Sequence, residues 1–571
     1  MGIRVNKLLT EVNVNLATLE IVLRAFGYKD DININSKISD EIADYVRGLC
    51  SNDTDLMTLI GIATKKGGYG NPKNIIESIK TPYPLKYYEN NNFWISELAL
   101  LSPEGNVNSI EIGSFEEVNG LPLYSVLIGT NGVGKSSLMK EIVDFFIDLH
   151  ACVNEKDFRL SSANKGRLKG IKYHIDGLDC EVIRLEKSYF ARIGGLLRGL
   201  KDLRLPTIVA CHFGAFDKFP TQKVNGSAQT KYDVPYYKYV GAHVNGSMIS
   251  SSAIAFRLLF ALNEHMDDRQ QQSICSILDF IKYDHRISLS YTLAMKSKKD
   301  GAVRDLIAQR VDKDREYSHL EKQKRNGIIT QLYNFYKNKT SSDKTQHDYD
   351  IDFDKDSTSK GSLDELKHIY KLKQYDLVNS TNVIFHKQGC DITSDDMSSG
   401  EFAMLSTVLS ISAAANDPHT LVLLDEPELS LHPNWQMILI DNLDRALKDQ
   451  VCHLLVATHS HMLVSDLPMK RSAVTQIEKD EKGNLNSTTI AKNTYGWSAE
   501  EVLLKVFKTA TDRNRYFGER IGKLLEKMGK KTINPEEVRV ELEELQEISM
   551  HLSDIDPMKT LLNTIVETYK Q

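Results

Sequence analysis

The residues best suited to chemistry begin at a glycine-rich turn near position 130. The run LYSVLIGTNGVGKSSLMK places an apolar strand, a glycine loop and a helix start in that order. Its spacing fits G-x-x-x-x-G-K-[ST]. Glycines let backbone N–H groups curl around phosphates, the lysine neutralises them, and the hydroxyl ligates Mg²⁺. We therefore predict a phosphate-binding loop made of Gly129, Thr130, Asn131, Gly132, Gly134, Lys135, Ser136 and Ser137.

Two adjacent acids close a second apolar run, TLVLLDEPELSLHPNWQ. Leu421 to Leu424 read as a buried parallel strand that ends in Asp425 and Glu426. At the carboxyl end of such a strand, acids project into the crevice where an α/β sheet holds its ligand. We predict that Asp425 holds Mg²⁺ and that Glu426 acts as general base on the attacking water. The alternative, an acidic surface turn, is disfavoured because a buried strand rarely ends in two carboxylates that have no cation to meet.

Two weaker motifs lie on either side of this acidic strand. MSSGEFAMLSTVLSI is a polar turn that opens an amphipathic helix, and alone it predicts only an N-cap by Ser398 or Ser399. HLLVATHSHML is a further apolar strand that ends in Thr458 and His459. A lone histidine is usually structural, but at the end of a strand after the acidic one, His459 is a candidate contact to a γ-phosphate.

With all four motifs in this order, the chain resembles the ABC-type ATPases. DEPELSLHP and ATHSHML are similar to the branch that contains OLD-family proteins and bacterial defence ATPases. The resemblance covers about 93–260 and 380–480. It implies an α/β fold, with an ABC-type P-loop ATPase head split by a helical insert. It also implies a homodimer or higher oligomer in which Lys135 of one chain and Ser398 of the other enclose each ATP with its Mg²⁺.

The same resemblance assigns the signature motif LSGGQ to Met397, Ser398, Ser399, Gly400 and Glu401, and the switch histidine to His459. The signature is degenerate, since Met397, Ser399 and Glu401 replace the family's Leu, first Gly and Gln. The family's glutamine-loop residue has one candidate, Asp217 in HFGAFDKFP. No adenine-stacking aromatic is assigned, and Trp94 and Tyr88 are interpreted as core residues.

The organisation expected around these motifs has six parts. They are an N-terminal helical module (1–60), a linker (61–92), a first ATPase lobe (93–263), a helical insert (264–380) with a mobile loop (340–362), a second lobe (381–495) and a C-terminal helical module (496–571). Val5, Leu8, Leu9 and Val12 recur at helical spacing, and Ser39 is expected to cap a later helix. This N-terminal stretch is similar to the N-terminal domain of bacterial translation initiation factor two.

Composition limits the class of protein. The chain has 571 residues, 41% hydrophobic and 26% charged, and no apolar run long enough to cross a bilayer, so the cytoplasm is the expected location. Seven scattered cysteines without a C-x-x-C pair predict buried thiols in a reducing compartment. A net charge of −6 leaves nucleic-acid binding to a local patch. Lys322–Lys339 is one candidate, although a solvated helix face is favoured there.

Three functions remain open. The first is an ATP-hydrolysing switch subunit similar to the PtuA-type ATPases of Septu systems. It would control a separate effector, for which an HNH-type nuclease is a candidate, in anti-phage defence or DNA surveillance. The second is a self-sufficient OLD-type nuclease, but Glu536, Glu537, Glu541, Glu543 and Glu544 lie on a helical pattern, and Glu478, Asp480 and Glu481 on a hairpin tip. The third is an ATP-binding scaffold without hydrolysis, which the presence of Glu426 and His459 disfavours.

Overall fold

The computed structural model describes residues 2–12, 33–39 and 43, and most of the chain from 92 onward. The longer gaps after 92 are 116–119, 155–165, 222–230, 295–299, 355–359, 507–514, 529–534 and 551–556, and shorter ones interrupt the rest. The linker predicted at 61–92 lies outside the described residues except for Asn92, and so does most of the N-terminal module.

The described strands are numbered in chain order. They are β1 (Gly2–Arg4), β2 (Lys37–Ser39), β3 (Phe93–Leu101), β4 (Val107–Glu111), β5 (Leu123–Ile128), β6 (Leu168–Ile175), β7 (Leu178–Leu185), β8 (Ser188–Ile193), β9 (Leu196–Arg198), β10 (Thr207–Cys211), β11 (Tyr237–Tyr239), β12 (His243–Val244), β13 (Ser247–Met248), β14 (Arg286–Leu293), β15 (Gln346–Asp352), β16 (Val378–Lys387), β17 (Cys390–Thr393), β18 (Thr420–Asp425), β19 (Cys452–Ala457), β20 (Ser472–Lys479) and β21 (Leu485–Ile490).

The described α-helices are numbered in the same way. They are α1 (Val5–Val12), α2 (Lys135–Asn154), α3 (Ser251–Glu264), α4 (Asp268–Phe280), α5 (Asp300–Lys313), α6 (Lys322–Thr340), α7 (Lys360–Gln374), α8 (Ser399–Ala414), α9 (Pro433–Ala446), α10 (His461–Ser465), α11 (Arg515–Met528), α12 (Pro535–Ser549) and α13 (Pro557–Lys570). None of these described helices is both long and apolar enough to cross a membrane.

A seven-stranded sheet of order β11-β10-β18-β19-β5-β20-β21 forms the centre of the molecule. All its pairings are parallel except that of β20 with β21. Every residue of β5, β18 and β19 is buried, which explains their unbroken apolar runs, because a parallel sheet is covered on both faces. Successive residues point to opposite faces, so Leu421 and Leu423 join one hydrophobic core while Val422 and Leu424 join the other.

One face of this sheet packs against α2 and the antiparallel sheet β4-β3-β6-β7-β8-β9. The other face packs against α3, α4, α8 and α9, together with the antiparallel sheet β15-β14-β16-β17. The α8 helix is buried along almost its whole length, from Ala403 to Ala414. The helix that follows the predicted signature turn is therefore an internal support of the central sheet.

The insert expected to be helical over 264–380 also contains strands, which corrects the prediction. β14 and β15 lie entirely within it, and β15 occupies the middle of the loop predicted as mobile at 340–362. In β15 the residues His347, Tyr349 and Ile351 are buried and alternate with exposed Gln346, Asp348 and Asp350. The exposed acidic residues made this alternation of buried and exposed positions difficult to recognise as a strand from the sequence. In the sheet, Tyr349 pairs with Leu289 of β14.

The described elements near the two ends of the chain lie outside the central sheet. The helix predicted from Val5, Leu8 and Val12 is present as α1, and Val5 and Leu8 are buried. The pairing of β1 with β2 was not expected in a module predicted as helical. At the other end, α11, α12 and α13 share their own apolar core, which includes Leu524, Leu542 and Leu562.

Candidate functional site

Four neighbouring parallel strands end at the same edge of the central sheet. In spatial order they are β10, β18, β19 and β5. Because parallel strands share their direction, the residues that follow them gather at this edge. The first residues beyond or at these strand ends are His212, Asp425 with Glu426, Thr458 with His459, and the loop from Gly129 to Ser136.

The glycine loop joins β5 to α2 and requires glycine for steric reasons. A Cβ on Gly129 would lie 2.4 Å from the carbonyl oxygen of Ile477, and Gly134 has a φ of +109°. Lys135 begins α2, is only 5% exposed, and its Nζ donates a hydrogen bond of 2.9 Å to the Gly129 carbonyl. The loop therefore closes on itself in the described structure, with its lysine held against the backbone that a phosphate would contact.

Lys135 and His459 form a direct pair across the site. The lysine Nζ lies 2.7 Å from His459 Nε2, which fits donation to an unprotonated ring nitrogen. Burial lowers the pKa of Lys135 to about 8, although Glu426, Asp425 and Glu428 act to raise it. Burial and the nearby lysine also lower the pKa of His459, so a neutral imidazole is favoured. The structure thus brings together two residues that are separated by 324 positions in the sequence.

Ser136 and Asp425 are the two oxygen donors expected to hold a metal, and they lie in contact. Ser136 Oγ donates to Asp425 Oδ1 over 3.1 Å, and Asp425 is 2% exposed. Burial raises the pKa of Asp425, and the charges of Glu426 and Asp217 add to the effect. A hydroxyl beside a carboxylate is the hard-oxygen set that Mg²⁺ prefers, and a buried acid among other acids is relieved by a cation. The residues present therefore fit Mg²⁺.

Glu426 occupies a strained backbone position directly after β18. Its φ of 47° lies in the left-handed region, which a non-glycine residue rarely adopts. A hydrogen bond of 2.8 Å from its backbone N–H to the Ala457 carbonyl holds this turn. Its side chain is 33% exposed, and its Oε1 lies 3.9 Å from His459 Nε2. Backbone strain of this kind concentrates at functional positions. Here the turn leaves the Glu426 side chain partly exposed, whereas the neighbouring Asp425 side chain is buried.

A third acid, Glu428, belongs to the site and was missed by the motif analysis. Its Oε1 accepts a hydrogen bond of 2.7 Å from the backbone N–H of His459. Its Oε2 is buried and meets no hydrogen-bond partner in the part of the chain that the structure describes. Burial raises the pKa of Glu428, and the charge of Glu426 adds to this. The signal available in the sequence was the second glutamate of DEPE, which follows the predicted base by two positions.

His212 is a second missed residue, at the end of β10. Its Nδ1 lies 2.8 Å from the carbonyl oxygen of Asp425 and donates to it. The Nε2 atom of the same ring is buried and has no hydrogen-bond partner among the residues that the structure describes. His212 is the first residue of HFGAFDKFP, but no motif spacing singled it out, because its role depends on β10 lying beside β18 in the sheet.

The predicted signature turn lies apart from these residues. Ser398 is the N-cap of α8 and accepts a hydrogen bond from the backbone N–H of Glu401, while its own hydroxyl donates to the Glu401 carboxylate. Lys387 Nζ donates to the same carboxylate over 2.8 Å. Burial would raise the pKa of Glu401, but the bonds from Lys387 and Ser398 outweigh it and lower the pKa. Ser398 and Ser399 are exposed, and among the described residues none of this turn bonds to the glycine loop.

The remaining candidates take structural positions. Asp217 is engaged within its own loop, where it accepts from the backbone N–H of Phe219 and from the Tyr239 hydroxyl. Trp94 stacks on His174 in the six-stranded sheet, with ring centroids 4.1 Å apart, and it is only partly buried, outside both hydrophobic cores, which differs from its interpretation as a core residue. Tyr88 lies outside the described residues.

Comparison with known proteins agrees with this geometry. Residues 216–464 match the family model described as an AAA ATPase domain. The match covers less than half of the chain. The matched range includes the signature turn, Asp425, Glu426 and His459, whereas the glycine loop at 129–136 lies before it. The prediction of an α/β ATPase fold is thereby confirmed.

Solved structures give a more distant likeness. An Smc head bound to the C-winged helix domain of ScpA is 12% identical, with a TM-score of 0.28, over 70% of this chain and 97% of that one. The head domain from Thermotoga maritima is 11% identical, also with a TM-score of 0.28, over 69% and 98%. A comparison with curated proteins gives no match.

Proposed function

We propose that this P-loop ATPase binds Mg–ATP at the edge of its central sheet and hydrolyses it. The observation that carries the proposal is the convergence of Lys135, Ser136, Asp425, Glu426 and His459, which come from three separate strand ends. A lysine, a serine–aspartate pair and a more exposed glutamate match the needs of phosphoryl transfer, namely charge neutralisation, metal binding and water activation.

Each residue then has a distinct task. Backbone N–H groups of the glycine loop and the Lys135 ammonium group bind the phosphates. On binding, Lys135 gives up its hydrogen bond to the Gly129 carbonyl and contacts phosphate oxygen. Ser136 and Asp425 would hold Mg²⁺, which when bound neutralises phosphate charge. Glu426 accepts a proton from the attacking water. His459 contacts the terminal phosphate, and Glu428 fixes the backbone from which His459 projects.

Two copies of the chain are proposed to complete the site. Ser398 and Ser399 are exposed at the N-terminus of α8, where backbone N–H groups and the helix dipole suit an anion. Because no described residue of the turn bonds to the glycine loop of its own chain, a second chain is proposed as the source of the signature contact. The Glu401–Lys387 pair and the capping bond would hold the turn ready for this contact.

A role as a switch subunit extends this proposal. The resemblance of DEPELSLHP and ATHSHML to bacterial defence ATPases supports a chain whose ATP cycle controls a separate effector, with an HNH-type nuclease as the candidate. The ATP-binding scaffold is less favoured, because Glu426 is placed near His459 and partly exposed, as a general base requires.

Nucleotide binding by Lys135→Ala tests the core of the proposal. Calorimetric titration with Mg–ATP should show affinity at least about tenfold weaker than that of the unmodified chain, because a charge-assisted phosphate contact is lost. Lys140→Ala is the matched control, since Lys140 lies on the same helix and pairs with Asp144. Equal affinity in Lys135→Ala and Lys140→Ala would remove the glycine loop from nucleotide binding.

A further inference from the structure

Three segments of the region predicted as a helical insert (264–380) meet at a cluster of side chains of metal-ligating types. This cluster lies outside the four ATPase motifs in the sequence. Cys275 lies on α4, His285 comes directly before β14, and Asp354 follows β15. One ligand atom from each of the three lies within 4.8 Å of the other two. Zinc bonds of about 2.0–2.3 Å place tetrahedral donors roughly 3.3–3.8 Å apart, so small side-chain movements would bring these three atoms to that spacing.

The imidazole of His285 organises the cluster. Its Nδ1 lies 2.6 Å from Asp354 Oδ1, and its Nε2 lies 2.9 Å from Asp279 Oδ1. Asp279 and Cys275 are four residues apart on α4 and therefore share one helix face. The Cys275 sulfur is 3.8 Å from the Phe353 carbonyl oxygen, next to Asp354. Helix and strands thus direct a thiol, an imidazole and two carboxylates toward one place.

The surrounding charge favours a cation. Asp354 and Asp279 both lie within hydrogen-bond distance of His285, and Cys275 shares a helix face with Asp279. Two carboxylates therefore flank the thiol and the imidazole, and a divalent cation bound among them would offset their negative charge.

We propose that Cys275, His285 and Asp354 form a zinc-binding site. A set of sulfur, nitrogen and oxygen donors selects Zn²⁺ over Mg²⁺ or Ca²⁺, which prefer oxygen alone. With Zn²⁺ on Nδ1, the Nε2–H of His285 donates to Asp279, the carboxylate–histidine–zinc arrangement that fixes ring orientation. Asp354 is 67% exposed at its side chain and can move the short distance that the ion requires.

The position of the site gives zinc a structural consequence. The buried face of α4, with Ile274, Ile277 and Leu278, belongs to the same apolar core as α8, the helix behind the signature turn. Zinc would link α4 to β14 and β15 and so stabilise the lobe that presents this turn. The expectation of buried thiols is corrected for Cys275 and Cys152, which are only partly buried, and for Cys390, which is exposed.

Cobalt substitution in the full chain tests the site directly. After removal of metals by a chelator and dialysis, Co²⁺ should produce a thiolate-to-cobalt charge-transfer absorption, and Zn²⁺ should abolish it at one equivalent per chain. Cys275→Ser should lose this absorption, whereas Cys390→Ser, which removes an exposed cysteine outside the cluster, should keep it. Asp279→Asn should weaken Zn²⁺ affinity about tenfold, as expected of a group that only orients a ligand.

Thermal unfolding with Zn²⁺ supplies the second measurement. The midpoint of the unmodified chain should rise with Zn²⁺, because an ion that binds only the folded state stabilises it. Asp354→Asn changes an exposed side chain, so its midpoint without metal should equal that of the unmodified chain while the rise is lost. The proposal is overturned if Co²⁺ gives no charge-transfer band, if Cys275→Ser keeps it, or if Asp354→Asn responds to Zn²⁺ like the unmodified chain.

Discussion

Asp425 and Glu426 are neighbours in sequence, yet the structure gives them different surroundings. Asp425 is the last residue of a buried strand and contacts Ser136, whereas Glu426 turns through a left-handed conformation and remains one-third exposed. One acid is thereby buried against a serine hydroxyl and the other is partly open to solvent. This difference in surroundings supports the proposed division of roles between metal binding and water activation.

Glu426→Gln should bind Mg–ATP normally and hydrolyse it at least roughly a hundredfold more slowly, because general-base assistance contributes about 10²–10⁴-fold. Glutamine keeps the size of the side chain but cannot accept the proton. Phosphate release and nucleotide titration on the same preparation would measure both effects. Turnover close to that of the unmodified chain would exclude Glu426 as the base.

Glu428 should act by positioning His459. Removing its carboxylate in Glu428→Ala leaves the His459 backbone N–H without its acceptor, so kcat should fall about tenfold with little change in KM. Glu428→Gln retains an oxygen that can accept this bond and should recover most of the rate. If the alanine and glutamine variants hydrolyse ATP equally, the bond to His459 does not matter to turnover.

Residues within contiguous motifs could be predicted from the sequence, and residues placed by the sheet could not. Gly129, Lys135 and Ser136 lie in one short run whose spacing defines their chemistry. His212 carries no such spacing, since its bond to the Asp425 carbonyl depends on which strand lies beside β18. Strand order is set by packing of the whole sheet and leaves no local pattern.

At the scale of elements, the strands of the central sheet could be predicted from the sequence, whereas the strands of the insert could not. β5, β18 and β19 are apolar throughout because helices or a second sheet cover both faces, and such runs are evident in the sequence. β15 has one covered face, and its other face carries Asp348 and Asp350, which made the segment resemble a polar loop. The Cys275–His285–Asp354 cluster could not be predicted from the sequence either, because Asp354 is placed by β15.

The exposed turn at the start of α8 leads to a prediction about mixed dimers. A chain with Lys135→Ala and a chain with Ser398→Arg should each be inactive alone. Mixed, they should regain one working site per heterodimer, because each supplies the half that the other lacks. Phosphate release from the mixture, with heterodimers verified by tagged co-purification, is the measurement.

Ser398→Arg also removes an N-cap, which is worth about 1 kcal/mol of stability. Ser398→Asn keeps a capping oxygen without the added bulk and charge, and it should retain activity as the matched control. Heterodimers that form but remain inactive would show that the turn does not serve the neighbouring chain, or that both sites must act together.

At the scale of the whole molecule, the ATPase head is joined to units that have separate cores. The C-terminal helices α11, α12 and α13 share an apolar core of their own, and their charged faces are paired internally. Glu541 lies 2.9 Å from Lys527, and Glu544 lies 2.9 Å from Arg520. Acids used in ion pairs on a helical face are poorly suited to share a divalent metal.

The purified chain is therefore expected to hydrolyse ATP but to leave DNA and RNA intact with Mg²⁺ or Mn²⁺. A nuclease centre needs hard oxygen ligands close enough to share a metal. At the β20–β21 hairpin, Asp480 instead accepts bonds from the backbone N–H groups of Lys482 and Asn484 and from the Asn484 amide, which closes the turn. In the part of the chain that the structure describes, the one close metal-ligating group of three is the thiol-containing cluster at Cys275.

Gel assays of plasmid DNA and total RNA, with each metal and with ATP, would measure this. Cutting should appear only when a partner is added, docked on the insert or the C-terminal helices. Lys135→Ala separates the two activities, because it should lose ATP turnover without affecting a true nuclease centre. Metal-dependent cleavage by the pure chain that persists in Lys135→Ala and disappears in Asp480→Asn or Glu481→Gln would establish the self-sufficient nuclease, since such an outcome places the metal at the hairpin tip and makes a separate effector unnecessary.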